Sequence, residues 1–371
     1  MIKFSDKELE KLISGIKGAD SEAMSAAKKR QAELAKPPGS LGRLEDLAVK
    51  VSGITGKIHN ELDKKALLVF CADNGVAVEG VSSAPQSVTR AQTVNLARGK
   101  TGAAVLSKAY GCRLYVCDVG VLTDIDEPGV INIKIAHGTG NIAKGPAMTR
   151  EQTLAAIKAG ADLASTAVRD GAKVMGVGEM GIGNTTTSSA VLAALTGLPV
   201  EKLTGRGGGL TDEAFAKKTA VIKKALAVND PDKNDPVDVL SKVGGLDIAA
   251  MTGAFLGAAR LSVPAVIDGF ISVVAALCAA RLCPRAADYM IPSHRSFEIG
   301  YLAACRELGL EPLFDLRMRL GEGSGCPIAM SILDAACRVQ SGMATFSEAS
   351  ICDDYLDPIR KTDAFTVKEK K

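Results

Sequence analysis

The sequence predicts an α/β fold in which a parallel β-sheet is covered by helices on both faces. Short apolar runs recur along the chain, and most of them end in an acidic residue, a polar residue or glycine. A segment of helical character usually follows, which is the pattern of parallel strands that are buried on both sides. The 371 residues, 47% of them hydrophobic and 23% charged, supply ample apolar surface for such a core.

The predicted elements follow in chain order. Two amphipathic helices come first, at residues 6–16 and 21–35, and Lys36-Pro-Pro-Gly39 ends the second of them. A helix restarts at Leu44 and runs to about residue 55. We interpret six later apolar runs as strands, at 66–71, 114–117, 174–175, 263–267, 289–291 and 313–318. Helices at about 327–342 and 347–356 close the fold and could pack with the opening pair.

Polar residues follow several of these predicted strands. Asp73, Asp118, Asp268 and His294 each come directly or closely after an apolar run, and Glu322 follows the last one. Ligands of parallel α/β sheets bind beyond the carboxyl ends of the strands, where the strand order reverses. We therefore expect these side chains to face one crevice.

Composition excludes several classes of protein. A net charge of +3, with 45 basic and 42 acidic residues, argues against a nucleic-acid-binding protein. The nine cysteines form no Cys-x-x-Cys pair and only three histidines are present, so neither a disulfide framework nor a zinc site is expected. The charged N-terminus does not resemble a signal peptide, and residues 261–280 are interrupted by Pro264 and Asp268. We expect a cytoplasmic protein without a membrane span.

A glycine-rich stretch, Gly176-Val-Gly-Glu-Met-Gly-Ile-Gly183, precedes a predicted helix for which Asn184 is a good N-cap. The backbone amides of Gly181 to Thr186 and the positive end of the helix dipole predict an anion site. Glu179 does not fit a plain phosphate cradle because its carboxylate would repel phosphate. It is therefore a candidate functional acid that faces a sugar hydroxyl or a cationic ring.

The same stretch allows two other interpretations. Gly176-x-Gly-x-x-Gly181 matches the dinucleotide fingerprint, so a nicotinamide-dependent oxidoreductase is an alternative. Its position in the middle of the chain, and the carboxylate of Glu179 beside the expected pyrophosphate, weaken that alternative. A glycine loop that only turns the chain is the third interpretation.

Two further glycine-rich loops carry charged residues. Gly205-Arg-Gly-Gly-Gly-Leu210 suits phosphate, with Lys218 on the helix that follows, but a flexible turn explains it equally well. Arg319-Leu-Gly-Glu-Gly-Ser-Gly325 presents Glu322 between glycines, where burial would raise its pKa toward that of a useful base. His294 could act as a base, although a histidine that caps or completes the core is commoner, and no Gly-x-Ser-x-Gly elbow is present.

Together these stretches resemble the nicotinate-nucleotide:dimethylbenzimidazole phosphoribosyltransferase family. The resemblance covers nearly the whole chain and rests on residues 36–43, 72–76, 85–89, 178–186, 268–270, 293–298 and 319–325. It implies a large α/β catalytic domain with a Rossmann-like parallel sheet at 41–327 and a small helical domain formed by 1–40 and 328–371. It also implies a dimer with active sites near the subunit interface.

The resemblance implies a role for each candidate site residue. Glu322 is the general base, and Glu179 is the second acid, near the ribose. The nucleotide and its phosphate are held by Gly181, Ile182, Gly183, Asn184, Thr185, Thr186, Gly207, Lys218, Asp268 and Ser296. The acceptor pocket is lined by Ala84, Gln92, Met180 and Leu320. No metal and no cofactor are expected.

The implied reaction transfers the phosphoribosyl group of nicotinate mononucleotide to 5,6-dimethylbenzimidazole or a similar aromatic base. Because the pyridinium leaves as a neutral ring, its departure needs no general acid, and two carboxylates with a phosphate cradle suffice. Relatives that use phenol or p-cresol form pairs of unlike subunits. The chain could instead be such a subunit, either catalytic or mainly supporting.

Overall fold

The structure is a computed structural model that describes residues 4–207 and 209–358. Its centre is a sheet of six strands, all parallel, in the order β3-β2-β1-β4-β5-β6. The strands are β1 (Lys65–Ala72), β2 (Cys112–Gly120), β3 (Val130–Asn132), β4 (Val174–Met180), β5 (Ala265–Ile267) and β6 (Met290–Pro292). This is the strand order of a doubly wound dinucleotide-binding fold, and the predicted α/β class is confirmed.

The described part of the chain contains fourteen α-helices. They are α1 (Asp6–Ser14), α2 (Ser21–Glu33), α3 (Arg43–Thr55), α4 (Ser87–Ala97), α5 (Gly102–Ala109), α6 (Arg150–Arg169), α7 (Asn184–Thr196), α8 (Val200–Leu203), α9 (Asp212–Asn229), α10 (Pro236–Val243), α11 (Leu246–Arg260), α12 (Phe270–Leu282), α13 (Gly300–Leu308) and α14 (Cys326–Gly342). Turns of 3₁₀ helix lie at Gly75–Glu79, Pro284–Tyr289 and Asp354–Leu356.

Helices cover both faces of the sheet. Every residue of β1 from Ala66 to Ala72 is buried, and successive side chains of a strand point to opposite faces. The closest helix packing joins α6 to α11, where a Cβ on Gly160 would lie 1.7 Å from the carbonyl oxygen of Ala250. The glycine therefore lets the two helix backbones approach until they touch, which no larger residue permits.

Two predicted elements are wrong. Residues 313–318 form no strand: Phe314 makes a single bridge to His294, and Arg317 has a φ of +54°, which breaks the extended backbone. Residues 347–356 form turns and a short 3₁₀ segment instead of a helix, because Ser350 adopts a φ of +56°. Strand β3 was not predicted, since its three residues carry no recognisable alternation.

Contacts divide the described chain into two units. The first contains residues up to Gly18 and Lys64–Ala329, and the second contains Ala19–Asp63 and the described residues from Met330. Inside the second unit, the Nε2 atom of Gln340 donates to the Oγ atom of Ser52 at 3.0 Å. The division into a small domain of residues 1–40 and 328–371 and a large domain of residues 41–327 stays a prediction. Residues 359–371 lie outside the described ranges.

The strand order indicates at which edge of the sheet a ligand would bind. The chain leaves β1 toward β2 on one side and returns to β4 on the other, so the order reverses between β1 and β4. Crevices at such a reversal, beyond the carboxyl ends of the strands, bind ligands. Across residues 4–207 and 209–358, no helix has the length and apolar character needed to cross a membrane.

Candidate active site

A cavity of about 260 Å³ lies beyond the carboxyl ends of β4 and β6, within the first unit. Its walls come from the loop before α4, the β4–α7 loop, the start of α12, the segment after β6 and the loop before α14. The lining residues are Ser82, Ser83, Ala84, Val88, Gln92, Glu179, Met180, Gly181, Ile182, Gly183, Asn184, Thr185, Gly207, Gly269, Phe270, Ile271, Ser272, His294, Ser296, Glu298, Arg319, Leu320, Gly321 and Glu322. Both predicted acids thus line one cavity.

Glu179 is the penultimate residue of β4 and is only 7% exposed. The Nδ2 atom of Asn184 donates hydrogen bonds to its Oε2 atom, at 2.5 Å, and to the Oδ2 atom of the fully buried Asp247, at 3.0 Å. Burial, and then the neighbouring charge of Asp247, raise the pKa of Glu179 to about 8. The carboxyl group of Glu179 therefore holds a proton more tightly than an ordinary glutamate.

Glu322 is equally buried and is held by two donors. Its Oε2 atom accepts from the backbone amide of Ala103 at 3.2 Å, and its Oε1 atom accepts from the Nε2 atom of Gln92 at 3.4 Å. Burial raises the pKa of Glu322, while the Ala103 amide opposes that shift. A fixed carboxylate with a raised pKa has the properties of a general base.

Glycines explain how Glu322 reaches this position. Gly321, Glu322 and Gly323 adopt φ angles of +84°, +62° and +83°, which glycine tolerates and glutamate rarely does. A Cβ on Gly178 of β4 would lie 2.5 Å from the Cα atom of Gly323, and one on Gly321 would lie 2.8 Å from the Oε1 atom of Glu179. The glycines thus allow the two glutamate-bearing segments to touch.

Asp268 fastens the loop that carries Glu322. Its Oδ2 atom accepts from the amide of Gly323 at 3.1 Å, and its Oδ1 atom accepts from the amide of Gly325 at 2.7 Å. The ring of His294 hydrogen-bonds through Nδ1 to the Oγ atom of Ser293 at 3.0 Å and lies 3.8 Å from the Asp268 carboxylate. His294 thus contributes to the cavity wall and to a buried polar network.

The start of α7 forms another wall of the cavity. Gly183, at a φ of +94°, is the N-cap, so the expectation that Asn184 caps this helix is wrong. The side chain of Asn184 instead donates hydrogen bonds to Glu179 and Asp247. The amide of Ile182 already donates to the Oγ1 atom of Thr89 at 3.1 Å, and that of Thr186 donates to the carbonyl of Gly183. Only part of this loop is therefore available to an anion.

A buried lysine supports the same end of the cavity. Lys218 is fully buried, and its Nζ atom donates to the Oγ1 atom of Thr185 at 2.9 Å and to the carbonyl of Gly205 at 3.1 Å. Burial lowers the pKa of Lys218 to about 8, and the charge of Glu298 opposes the shift. Thr185 and Gly207 line the cavity and lie between the Lys218 ammonium group and the interior of the cavity.

The opposite wall is mostly apolar. Ala84, Val88, Met180 and Leu320 line it, and the amide side chain of Gln92 is its principal polar group. Gln92 is also the donor that holds Glu322. An apolar slot with one buried carboxylate suits a flat aromatic molecule that gives up a proton.

Three predicted site residues do not line the cavity. Lys218 reaches it only through Thr185, Asp268 is turned toward the amides of Gly323 and Gly325, and Thr186 is fully buried in α7. The other thirteen predicted residues are Glu322, Glu179, Gly181, Ile182, Gly183, Asn184, Thr185, Gly207, Ser296, Ala84, Gln92, Met180 and Leu320, and all of them line it.

Sequence reasoning missed two acids, Asp247 and Glu298. Asp247 stands at the start of α11, behind Gly244-Gly245, and a carboxylate after two glycines at a helix start was the available signal. Glu298 lies inside the quoted stretch 293–298, but no role was drawn for it. It lines the cavity, and its Oε2 atom is packed against Gly205 so closely that a Cβ there would overlap it.

The dinucleotide fingerprint has a structural explanation. Gly176 and Gly178 are strand residues of β4 and do not form a loop. A Cβ on Gly176 would lie 2.4 Å from the Cβ atom of Cys326, and one on Gly178 would strike Gly323. These glycines serve the contact with the loop before α14, so the match carries no support for a nicotinamide-dependent oxidoreductase.

The chain is similar to known proteins over most of its length. A family model described as phosphoribosyltransferase matches residues 16–351. A nicotinate-nucleotide–dimethylbenzimidazole phosphoribosyltransferase of Clostridium perfringens is 50% identical over 359 residues, which cover 97% of this chain and 99% of that protein. A protein of the same name from Desulforudis audaxviator is 50% identical over 344 residues, covering 92% of this chain and 98% of that protein.

Solved structures give the same result. The crystal structure of the nicotinate-nucleotide–dimethylbenzimidazole phosphoribosyltransferase from Thermus thermophilus superposes with a TM-score of 0.85 at 40% sequence identity. The match covers 90% of this chain and 99% of that one. The similarity therefore extends over sequence and fold together.

Proposed function

The chain belongs to the nicotinate-nucleotide–dimethylbenzimidazole phosphoribosyltransferase family, and from this we propose that it transfers the phosphoribosyl group of nicotinate mononucleotide to an aromatic base. The acceptor is 5,6-dimethylbenzimidazole or a similar base, and the products are an α-riboside 5'-phosphate and nicotinate. The observation that carries this proposal is the meeting of two buried glutamates, Glu179 and Glu322, in one cavity beside a helix N-terminus.

The phosphate of the nucleotide binds at the start of α7. Gly181, Gly183 and Thr185 offer backbone amides there, and the helix dipole favours an anion. Lys218 supplies positive charge from behind Thr185. Gly207 and Ser296 complete this end of the cavity, and Asp268 acts indirectly by holding the Glu322 loop.

The ribose then lies between the two acids. The bond from C1' to the pyridinium nitrogen breaks, and its electron pair stays with the ring, which leaves as neutral nicotinate. Ionised Glu179 stabilises the positive charge that develops on the ribose. The acceptor nitrogen bonds to C1' from the opposite face, which inverts the β-linkage to α. Glu322 takes the N–H proton from the other nitrogen of the acceptor ring, so that the product ring is neutral.

The apolar wall formed by Ala84, Met180 and Leu320 selects the acceptor. It offers a flat ring burial from water, while Gln92 fixes the carboxylate that receives the proton. A benzimidazole carries the N–H group that this reaction requires. A phenol carries a single O–H group, and the same carboxylate would accept its proton. An experiment therefore decides between benzimidazoles and phenols as acceptors.

The decisive experiment incubates the purified chain with nicotinate mononucleotide and an equal mixture of benzimidazoles and phenols. Mass spectrometry and NMR should identify an α-riboside 5'-phosphate of a benzimidazole and an equal amount of nicotinate. A phenolic glycoside as the main product would move the acceptor class to phenols. No glycoside with any acceptor would contradict the proposed transfer.

We also propose that the protein is a dimer of like chains. Four apolar side chains between residues 297 and 320 are exposed to solvent: Phe297 at 64%, Ile299 at 58%, Leu316 at 60% and Leu320 at 56%. Leu320 also lines the cavity. Large exposed apolar groups in one segment are typical of a protein interface. An interface here would place a partner beside the acceptor wall.

A further inference from the structure

One side-chain amide joins two buried carboxylates in this protein. The Nδ2 atom of Asn184 donates to the Oε2 atom of Glu179 and to the Oδ2 atom of Asp247. Because both carboxylates bind the same nitrogen, their oxygen atoms lie within a few ångströms of each other. Two like charges that close, away from water, strongly disfavour the doubly ionised state.

Asp247 does not line the cavity itself. It is 0% exposed, and its Oδ1 atom accepts from the amide of Ile248 at 3.0 Å. A Cβ on Gly181 would lie 2.7 Å from the Oδ2 atom of Asp247, and one on Gly245 would lie 2.4 Å from its Oδ1 atom. The carboxylate is thus locked in place, and the amide of Asn184 links it to Glu179.

The charges that act most strongly on Glu179 are all negative. Asp247, Asp268 and Glu322 each raise its pKa, and the amide of Asn184 opposes them. The charge of Glu179 also acts on Cys71 in the neighbouring strand β1, where it contributes to the raised pKa of that thiol. These groups come from five elements: β1, the β5–α12 turn, the start of α7, the start of α11 and the loop before α14. A cation that enters this part of the cavity meets a cluster of acids.

We propose that Asp247 is a positioning residue for the donor site, holding Glu179 through Asn184 so that the pair retains one proton until a cationic nucleotide binds. This inference rests on the proposed function, because the pyridinium of nicotinate mononucleotide is the cation concerned. When the nucleotide binds, its positive charge favours the ionised carboxylate, and the proton leaves to the solvent. Glu179 is then ionised only when there is ribosyl charge for it to stabilise.

Proton release on binding is the direct test. Titration calorimetry of the wild-type protein at pH 7, repeated in HEPES and in Tris, gives the number of protons from the dependence of the heat on the buffer. Nicotinate mononucleotide is compared with ribose 5-phosphate, which carries the same phosphate but no pyridinium. We expect the nucleotide to release close to one proton more than ribose 5-phosphate, since Glu179 is mostly protonated below its pKa of about 8.

The variant Asp247→Asn tests the role of the aspartate. Removing its charge lowers the pKa of Glu179, so the acidic limb of the kcat/KM profile should move to lower pH by about one unit. The exposed Asp162→Asn change in α6 removes the same charge elsewhere and should leave the profile unmoved. Circular dichroism establishes that both variants are folded, and a variant that does not fold leaves the wild-type proton count as the test.

The outcomes separate this inference from the proposed function. If the wild-type protein forms no riboside, the proposed function fails whatever the proton count. If riboside forms but nucleotide and ribose 5-phosphate release equal numbers of protons, only the role of the Asp247 and Glu179 pair is overturned. A folded Asp247→Asn protein whose acidic limb stays in place overturns it equally.

Discussion

At the scale of residues, the two glutamates of the cavity have different surroundings. Glu179 shares an amide with a second buried acid, whereas Glu322 accepts from one backbone amide and one side-chain amide. Environment of this kind separates the roles of chemically identical groups. Glu322 is suited to taking a proton from an acceptor, and Glu179 to meeting positive charge on the donor.

Replacing Glu322 by glutamine should remove the base and leave the shape of the cavity. We expect kcat to fall by at least about 100-fold, the usual contribution of general base catalysis, with nicotinate mononucleotide affinity nearly unchanged. Steady-state kinetics and calorimetry measure the two quantities. Glu151→Gln, an exposed change in α6, is the matched control. A Glu322→Gln enzyme with wild-type kcat would exclude Glu322 as the base.

Burial of Glu179 makes the stability of the fold depend on pH. Its folded-state pKa, about 8, lies above the ordinary value of 4.5, so the native state binds this proton more tightly than the unfolded chain does. The stabilising contribution is complete at low pH and is lost as the pH rises through about 8. Glu179→Gln should therefore be more stable than wild type at pH 8, by roughly 2–4 kcal/mol, and inactive.

Denaturant unfolding at pH 5 and pH 8 measures this effect. The advantage of Glu179→Gln should grow between the two values, because only the wild-type protein must carry a buried charge at the higher pH. An advantage that shrinks with rising pH would mean that the buried carboxyl group is ionised at low cost. Glu151→Gln again serves as the control, since its side chain is exposed.

Residue types in glycine-rich stretches were sufficient to predict both glutamates and the wall at the start of α7, whereas the acceptor-side residues Ala84, Gln92, Met180 and Leu320 were named only by the resemblance. The resemblance gave their expected roles. Asp247 could not be found in this way, because its importance comes from a hydrogen bond to Asn184 across the fold. The prediction for Asn184 failed for the same reason. Asparagine favours the N-cap position of a helix, but here tertiary contacts hold its side chain elsewhere.

At the scale of elements, the contact between β4 and the loop before α14 decides whether the site forms. Gly178→Ala would push a methyl group into the backbone of Gly323, 2.5 Å away. We expect at least about a tenfold loss of kcat/KM and a destabilisation of about 1–3 kcal/mol, because the loop that carries Glu322 must shift. Kinetics and denaturant unfolding measure both.

Gly145→Ala is the control for this change, since nothing lies within 4 Å of a Cβ at that position. It should leave activity and stability near their wild-type values. Normal activity in Gly178→Ala would show that β4 and the loop before α14 can separate without loss of the site.

The strands were predictable where their sequence is apolar. Strands β1, β2, β4, β5 and β6 each include part of a predicted run. The run at 313–318 failed because apolar content alone does not reveal a residue with positive φ, such as Arg317. Strand β3 was missed because pairing with β2, and not its own sequence, makes it a strand.

At the scale of the whole molecule, the proposed dimer can be tested by changing the exposed apolar residues between 297 and 320. The double variant Phe297→Asp with Ile299→Asp should shift the protein from dimer to monomer, because buried unpaired carboxylates destabilise an interface. Light scattering after size-exclusion chromatography measures the mass. The control Val228→Asp alters an apolar residue of α9 that is 50% exposed. A wild-type monomer, or a double variant that stays dimeric, contradicts the proposed interface.

The contact between Gly178 and Gly323 also has a consequence for biosynthesis. Strand β4 leaves the ribosome well before the segment that carries Glu322, so a nascent chain displays Glu179 without its counterpart. An incomplete polypeptide that ends before residue 319 therefore lacks one of the carboxylates that line the cavity.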